Sequence, residues 1–158
     1  MTPGQEYKYH FGRMAQICQK EGWGDPFSYA RSKEILAAIE LGHTVSKTLS
    51  GADAYNENGD PVEYKSTTGK KVKGSYTGIS VQPTWEEEEK YLKEEKIAKY
   101  PEHYYNRFED GKLVESWKLD GNIVYSLLCP KLKNKFETVL SKKDPRLSAN
   151  ITNKEIMK

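Results

Sequence analysis

Asp53 is followed ten positions later by Glu63-Tyr64-Lys65, which sets an acid on one extended segment beside an acid-x-lysine on the next. On a strand, residues two apart share a face, so Glu63 and Lys65 point the same way and the Tyr64 side chain points into packing. The peptide carbonyl of Tyr64 can still face the cluster. Two carboxylates and a carbonyl oxygen form a hard oxygen set suited to Mg2+, with Mn2+ able to take its place. Such an ion would neutralise a phosphate and activate an attacking water. Lys65 would position that water, lower its pKa or stabilise charge developing at phosphorus, and the sequence leaves these roles open. The same acid-x-lysine pattern also occurs as a plain surface ion pair.

The elements around these residues must bring them to one face. Thr44-Val45 and Ala54-Tyr55 read as short strand pieces, and Asn58-Gly59 is a hairpin signal before a strand over Val62 to Ser66. A two-residue turn at Asn58-Gly59 would pair Asp53 with Tyr64 and put Asp53 on the wrong face. A three-residue loop, Asn58-Gly59-Asp60, pairs Asp53 with Lys65 and brings all three groups together, so a longer loop or a bulge is expected.

Elsewhere the pattern reads α, then β, then α. Gln5 to Lys20 fits a first helix with Tyr9, Met14, Ile17 and Cys18 as its less polar face, ending at Gly22. Asp25-Pro26 looks like an N-cap and first helical position, followed by an Ile35, Leu36, Ile39 stripe that stops at Gly42. Thr84 to Glu87 has capping-box spacing, so the run Glu86 to Glu89 should open a helix supported by Glu86 with Lys90, Glu89 with Lys93 and Glu95 with Lys99. Tyr104 to Phe108 and Leu113 to Leu119 read as strands joined by Asp110-Gly111, with Leu113, Trp117 and Leu119 on one face. Ile123 to Leu140 is either a helix broken at Pro130 or an irregular return, and Ser141 to Lys158 reads as a polar tail. His43, His103 and Asp60 have structural readings, past a helix end, among tyrosines and in a turn.

The 158 residues fit one domain, 1–158, and 11 Tyr, 4 Phe and 3 Trp supply apolar bulk to a chain that is 30% charged. A net charge of +2 makes no strong statement about a polyanionic partner. Distribution says more: Lys65, Lys70, Lys71 and Lys73 form a local basic strip that could follow a phosphate backbone, or simply a solvated lysine-rich loop. Two cysteines, Cys18 and Cys129, lack zinc-like spacing and suit a reducing cytoplasm. No apolar run reaches membrane length, and Met1 to His10 lacks the apolar core of a secretion signal.

Gly51-Ala52-Asp53-Ala54, Gly59 and Glu63-Tyr64-Lys65-Ser66 together resemble the catalytic hairpin of PvuII-like type II restriction endonucleases in the PD-(D/E)xK nuclease superfamily. The likeness extends upstream through Gly22, Asp25, Phe27, Lys33, Gly42, Thr44 and Val45. Downstream it includes Ile97-Ala98-Lys99-Tyr100, after an insertion around the glutamate run. The resemblance implies a restriction-endonuclease-like α/β fold, with a central mixed β-sheet flanked by helices. It implies Asp53 and Glu63 as metal ligands with the Tyr64 carbonyl, and Lys65 as the catalytic lysine. It further implies a homodimer whose interface lies in the N-terminal region, about residues 1–22, acting on double-stranded DNA in a bacterial cytoplasm or that of a phage host.

Ser66, Lys70, Lys71, Lys73 and Tyr76 are then candidate DNA contacts, and Thr77, Ser80 and Gln82 candidate base readers, Gln82 for adenine. Those three do not match the family's base-reading segment side chain by side chain, so no recognition sequence carries over. Tyr76 also suits a small packed cluster. Two rival readings stay open: a junction-resolving, repair or phage-type nuclease with the same three residues, and a non-catalytic DNA-binding module.

Overall fold

A computed structural model describes residues 1–47 and 51–158. The chain forms a mixed α/β domain. Helix α1, Pro3–Glu21, begins at Thr2, whose side chain and that of Gln5 cap each other's backbone N–H reciprocally, and ends at Gly22 with φ 74°. Of its apolar residues only Cys18 is buried; Tyr9, Met14 and Ile17 are exposed.

Helix α2, Arg31–Leu41, starts later than the Asp25-Pro26 signal suggests. Asp25 accepts hydrogen bonds from Phe27 N at 2.9 Å and Ser28 Oγ at 3.2 Å. It therefore closes a turn instead of capping a helix, and the left-handed Tyr29, φ 50°, breaks continuity before Arg31.

The central sheet has the order β1-β2-β3-β5-β6: Thr44–Val45, Ala54–Tyr55, Pro61–Thr67, Glu102–Glu109 and Lys112–Asp120. Strands β3 and β5 run parallel and the other neighbours antiparallel, so the sheet is mixed. Strand β4, Gly74–Ser80, pairs outside this sheet with β7, Arg146–Ile151. Helix α3, Trp85–Tyr91, α4, Gly121–Leu140, and α5, Asn153–Ile156, complete the domain. No helix of the described residues is long and apolar enough to cross a membrane.

Period-2 alternation on β3 divides two cores. Val62 and Tyr64 pack with Cys18, Ile35, Ala37, Ala38, Val45, Ala54 and Phe108 on the α1/α2 side. The opposite side holds Tyr76, Ile79, Leu92, Ile97, Tyr105 and the apolar stripe of α4. Glu63 and Lys65 project towards that second side.

Four expectations need correction. Residues 141–158 are no polar tail: Leu147, Ala149 and Ile151 alternate into the second core and Ile156 closes it. The outer edge of β7 is covered by Lys131 and Lys135, whose Nζ atoms donate to Asn150 O and Ser148 O, each at 2.7 Å. Leu113 and Leu119 do not share a face, because a bulge at Val114 reverses the alternation; Leu113 joins the first core and Leu119 the second. α4 runs unbroken through Pro130. Finally, α3 gives way after Tyr91 to a wide turn over Leu92–Lys96, closed by Ile97 N donating to Leu92 O at 2.7 Å, which shifts the phase of the later Glu/Lys pairs. Within α3, Thr84 caps Glu87 N as expected, but Glu88 is fully buried and accepts from Gln82 N at 2.7 Å.

Candidate active site

The hairpin that carries the site is set by Asn56. Its Oδ1 accepts from Asn58 N at 2.9 Å and Asp60 N at 3.0 Å, and its backbone N–H donates to Asp60 O at 2.9 Å. The loop is three residues long, as expected, but consists of Glu57-Asn58-Gly59, with Gly59 at φ 81°. Ala54 then pairs with Val62 and Tyr55 with Pro61, so Asp53 stands across from Glu63 and not from Lys65. The shift is by an even number of residues, so Asp53, Glu63 and Lys65 still share a face.

Asp53, Glu63 and Lys65 line one cleft of ≈ 340 Å³ with Tyr76, Thr77, Lys96, Ile97 and Tyr100. The Asp53 carboxylate accepts from Tyr64 N at 2.7 Å, which fixes it beside β3. In an extended strand a residue's N–H and C=O point to the same side, so the Tyr64 carbonyl is aimed towards Asp53 as well. Lys65 Nζ lies 3.2 Å from Glu63 Oε1, and their side chains are only 23% and 20% exposed. On its other side the ammonium sits 4.4 Å from the Tyr76 ring centroid.

Burial dominates the electrostatics. It pushes Asp53 up to about 8, helped by the neighbouring charges of Glu63 and Glu34 and opposed by the Tyr64 N–H and Lys65. Burial also raises Glu63, against the pull of Lys65. Fully ionised, the two carboxylates would carry more negative charge than Lys65 offsets, so near neutral pH Asp53 keeps its proton instead. Among the described residues, no three His, Cys, Asp or Glu side chains gather closely enough to hold a metal by themselves. The donor set that fits a divalent ion is the two carboxylates with the Tyr64 carbonyl, and such a cation would displace the Asp53 proton and neutralise the charge that this exposes.

Three neighbours lay beyond the sequence reading. Glu34 on α2 adds a charge felt by both carboxylates. Lys96 reaches the cleft because of the wide turn that ends with it. Tyr29 is 105% exposed at the mouth of the outer cleft that Glu34, Lys65 and Lys73 also line. Its side chain has no spacing partner that would mark it in sequence.

The expected DNA contacts divide. Lys70, Lys71 and Lys73 are exposed on the segment between β3 and β4; Thr77 lines the cleft. Tyr76 is only 6% exposed, and its hydroxyl is bonded inside the core, so it is a packing residue and not a surface contact. Ser66 lines the outer cleft, but its hydroxyl is buried without a hydrogen-bond partner among the described residues. Ser80 and Gln82 lie outside the cleft; Gln82 borders a depression with Glu87, Glu94 and Glu95, an acidic setting that opposes phosphate. His43 and His103 hold structural places. His43 Nδ1 meets Tyr64 OH at 2.6 Å, and His103 is fully buried. Cys18 and Cys129 are both free thiols. No protein-family model matches this chain, and no curated protein matches it either.

Proposed function

We propose that the protein is a Mg2+-dependent, site-specific endonuclease of double-stranded DNA, of the type II restriction kind within the PD-(D/E)xK superfamily. The observation that carries this reading is the convergence of Asp53, Glu63 and Lys65 on one face of a cleft, with Asp53 tied to the backbone of the strand that bears the other two. The motif resemblance and the mixed sheet support it.

Asp53, Glu63 and the Tyr64 carbonyl would hold Mg2+, or Mn2+ in its place. When bound, the ion supplies neutralisation of the scissile phosphate and a more acidic water. Lys65, the catalytic lysine, donates hydrogen bonds from Nζ to the attacking water or to the phosphate oxygen that gains charge. Lys70, Lys71 and Lys73 follow the phosphate backbone beside the cleft, and Thr77 is the expected reader best placed to reach a base edge.

The partner surface in this reading is α1, where Tyr7, Phe11 and Met14 lie exposed at i, i+4, i+7 spacing. A second copy docked there would give a twofold dimer, one active site per strand, and a palindromic recognition site. The free thiols suit work in a reducing cytoplasm, bacterial or that of a phage host.

The test is cleavage of mixed unmethylated DNA with Mg2+ by wild type, Asp53→Ala and Lys65→Ala, with a chelator control. Discrete fragments from wild type alone are expected. Cutting confined to branched DNA would replace the restriction reading with a junction-resolving one. DNA retention without nicking, independent of divalent ions, would replace it with a binding module.

A further inference from the structure

Lys65 is held by more than its ion pair with Glu63. Its stem passes beneath β4 at Gly74, where an added Cβ would stand 3.2 Å from Lys65 Cγ and 2.4 Å from Tyr105 Cε1. Only glycine lets β4 cross this closely. Two residues on, and therefore on the same face, Tyr76 presents its ring 4.4 Å from Lys65 Nζ.

That ring is itself fixed. Tyr76 OH lies 2.9 Å from His103 Nδ1 and 2.7 Å from Tyr105 OH, and His103 Nε2 lies 2.9 Å from Ile97 O. A carbonyl only accepts, so Nε2 carries the hydrogen and Nδ1 of the neutral ring is the acceptor. Tyr76 OH then donates to Nδ1 and accepts from Tyr105 OH. The chain of donors has one direction, from Tyr105 through Tyr76 and His103 to Ile97. Burial keeps His103 neutral by lowering it to about 4, so this arrangement holds across the ordinary working range of pH. Tyr105 and His103 stand on β5 opposite Lys65 and Glu63 in the parallel ladder, so the chain is built into the same sheet face as the site.

We propose that Tyr76 is a positioning residue: its ring is the seat of the Lys65 ammonium, and the Tyr105–Tyr76–His103–Ile97 chain locks that seat in place. The ammonium needs somewhere to stay when Glu63 turns to a cation, because a lysine with four rotatable bonds released from its carboxylate would otherwise wander. The ring holds it by its face without competing for its hydrogens. The N–H groups that point away from the ring stay available to water and phosphate. This inference rests on Lys65 being the catalytic lysine.

The test uses the full chain with labelled lysine side chains, free of metal and DNA, and Lys65→Ala to assign the signal. A Lys65 side chain over an aromatic ring is shifted upfield by the ring current. Expected results are an upfield Lys65 signal in wild type, reduced in Tyr76→Phe, whose ring has lost its tether to His103 and Tyr105, and lost in Tyr76→Leu; a signal undiminished in Tyr76→Phe overturns the lock. With Mg2+ and DNA, Tyr76→Leu should lower kcat on the order of 10²-fold with KM unchanged, and Tyr76→Phe, which keeps the ring but not its tether, should fall between Tyr76→Leu and wild type. A folded Tyr76→Leu with wild-type kcat overturns the proposal. So does an unshifted Lys65 in wild type, a reading that needs no variant to fold. A shifted Lys65 in a protein that cuts no DNA upholds the seat and overturns the endonuclease. An unshifted Lys65 in a protein whose cleavage depends on that residue does the reverse.

Discussion

The backbone N–H of Tyr64, midway along β3, donates to the Asp53 carboxylate across the hairpin at 2.7 Å. This bond favours the ionised carboxylate, yet burial and the charges of Glu63 and Glu34 win and push Asp53 up to about 8. The protein without metal therefore holds a proton on Asp53 up to about pH 8, and ionising that group costs stability.

Asp53→Asn should abolish cleavage and make the metal-free protein more stable at pH 8. Below the unfolded aspartate value, roughly 4, the group is protonated in both states and the native fold has its full stability. As pH rises towards about 8 the unfolded chain ionises first, and stability is lost over that window. Asparagine can still accept from Tyr64 N and has no charge to bury. Thermal unfolding from pH 5 to 8 should show a gap in favour of the variant that widens with pH, reaching on the order of 1–4 kcal/mol. A gap that does not change with pH would mean that Asp53 is not a raised carboxylate.

Divalent ions should act on the same window from the other direction. A cation between Asp53 and Glu63 displaces the proton, so Mg2+ should raise the Tm of wild type more at pH 8 than at pH 6 and leave Asp53→Asn nearly unmoved. At a hundredfold excess over Kd the gain is about 2.7 kcal/mol. Equal shifts in both proteins would place the ion elsewhere.

The part of the site that was legible in sequence depends on strand parity. Asp53, Glu63 and Lys65 are all odd-numbered, so any loop that keeps parity gathers them, whether Asp53 faces Lys65 or, as found, Glu63. The register itself rests on the Asn56 side chain, a competing turn former two positions before the Asn58-Gly59 signal. Tyr76 sits in a stretch of lysines and small polar residues that reads as surface, and the long-range pairing of β4 with β7 and its packing on β5 bury it. The same pairing explains the misread tail. Leu147, Ala149 and Ile151 do alternate, but in a short strand between charged and polar neighbours that gives little signal without its partner. Glu34 and Lys96 reach the site by tertiary placement alone.

Gly121→Ala should damage the cleft from outside it. A Cβ at Gly121 would stand 2.1 Å from Tyr100 O, a backbone atom that cannot swing away, where Gly121 N also donates to Pro101 O at 2.8 Å. Either α4 or the Tyr100–Pro101 segment must move, and Tyr100 lines the cleft. Overpacking of this kind costs about 1–3 kcal/mol. Denaturant unfolding should show that loss, and cleavage should fall with it; a variant as stable as wild type would mean that the α4 N-terminus is not seated on Tyr100.

Tyr29 offers the opposite sign. A bulky residue at φ 50° is strained, and a side chain 105% exposed recovers nothing by packing. Strain at a residue that lines the outer cleft is strain the fold does not need, which fits a ring that serves a ligand. Tyr29→Gly should therefore leave stability equal or raise it by up to about 1 kcal/mol, since glycine adopts this φ freely but loses more entropy on folding. In the endonuclease reading the same change removes an aromatic surface that can stack on a base or sugar, so KM for DNA should rise while kcat changes little. Stability from chemical denaturation and KM from cleavage separate the two effects. A stability loss would mean that Tyr29 holds the turn before α2 together, and an unchanged KM would mean that DNA does not reach it.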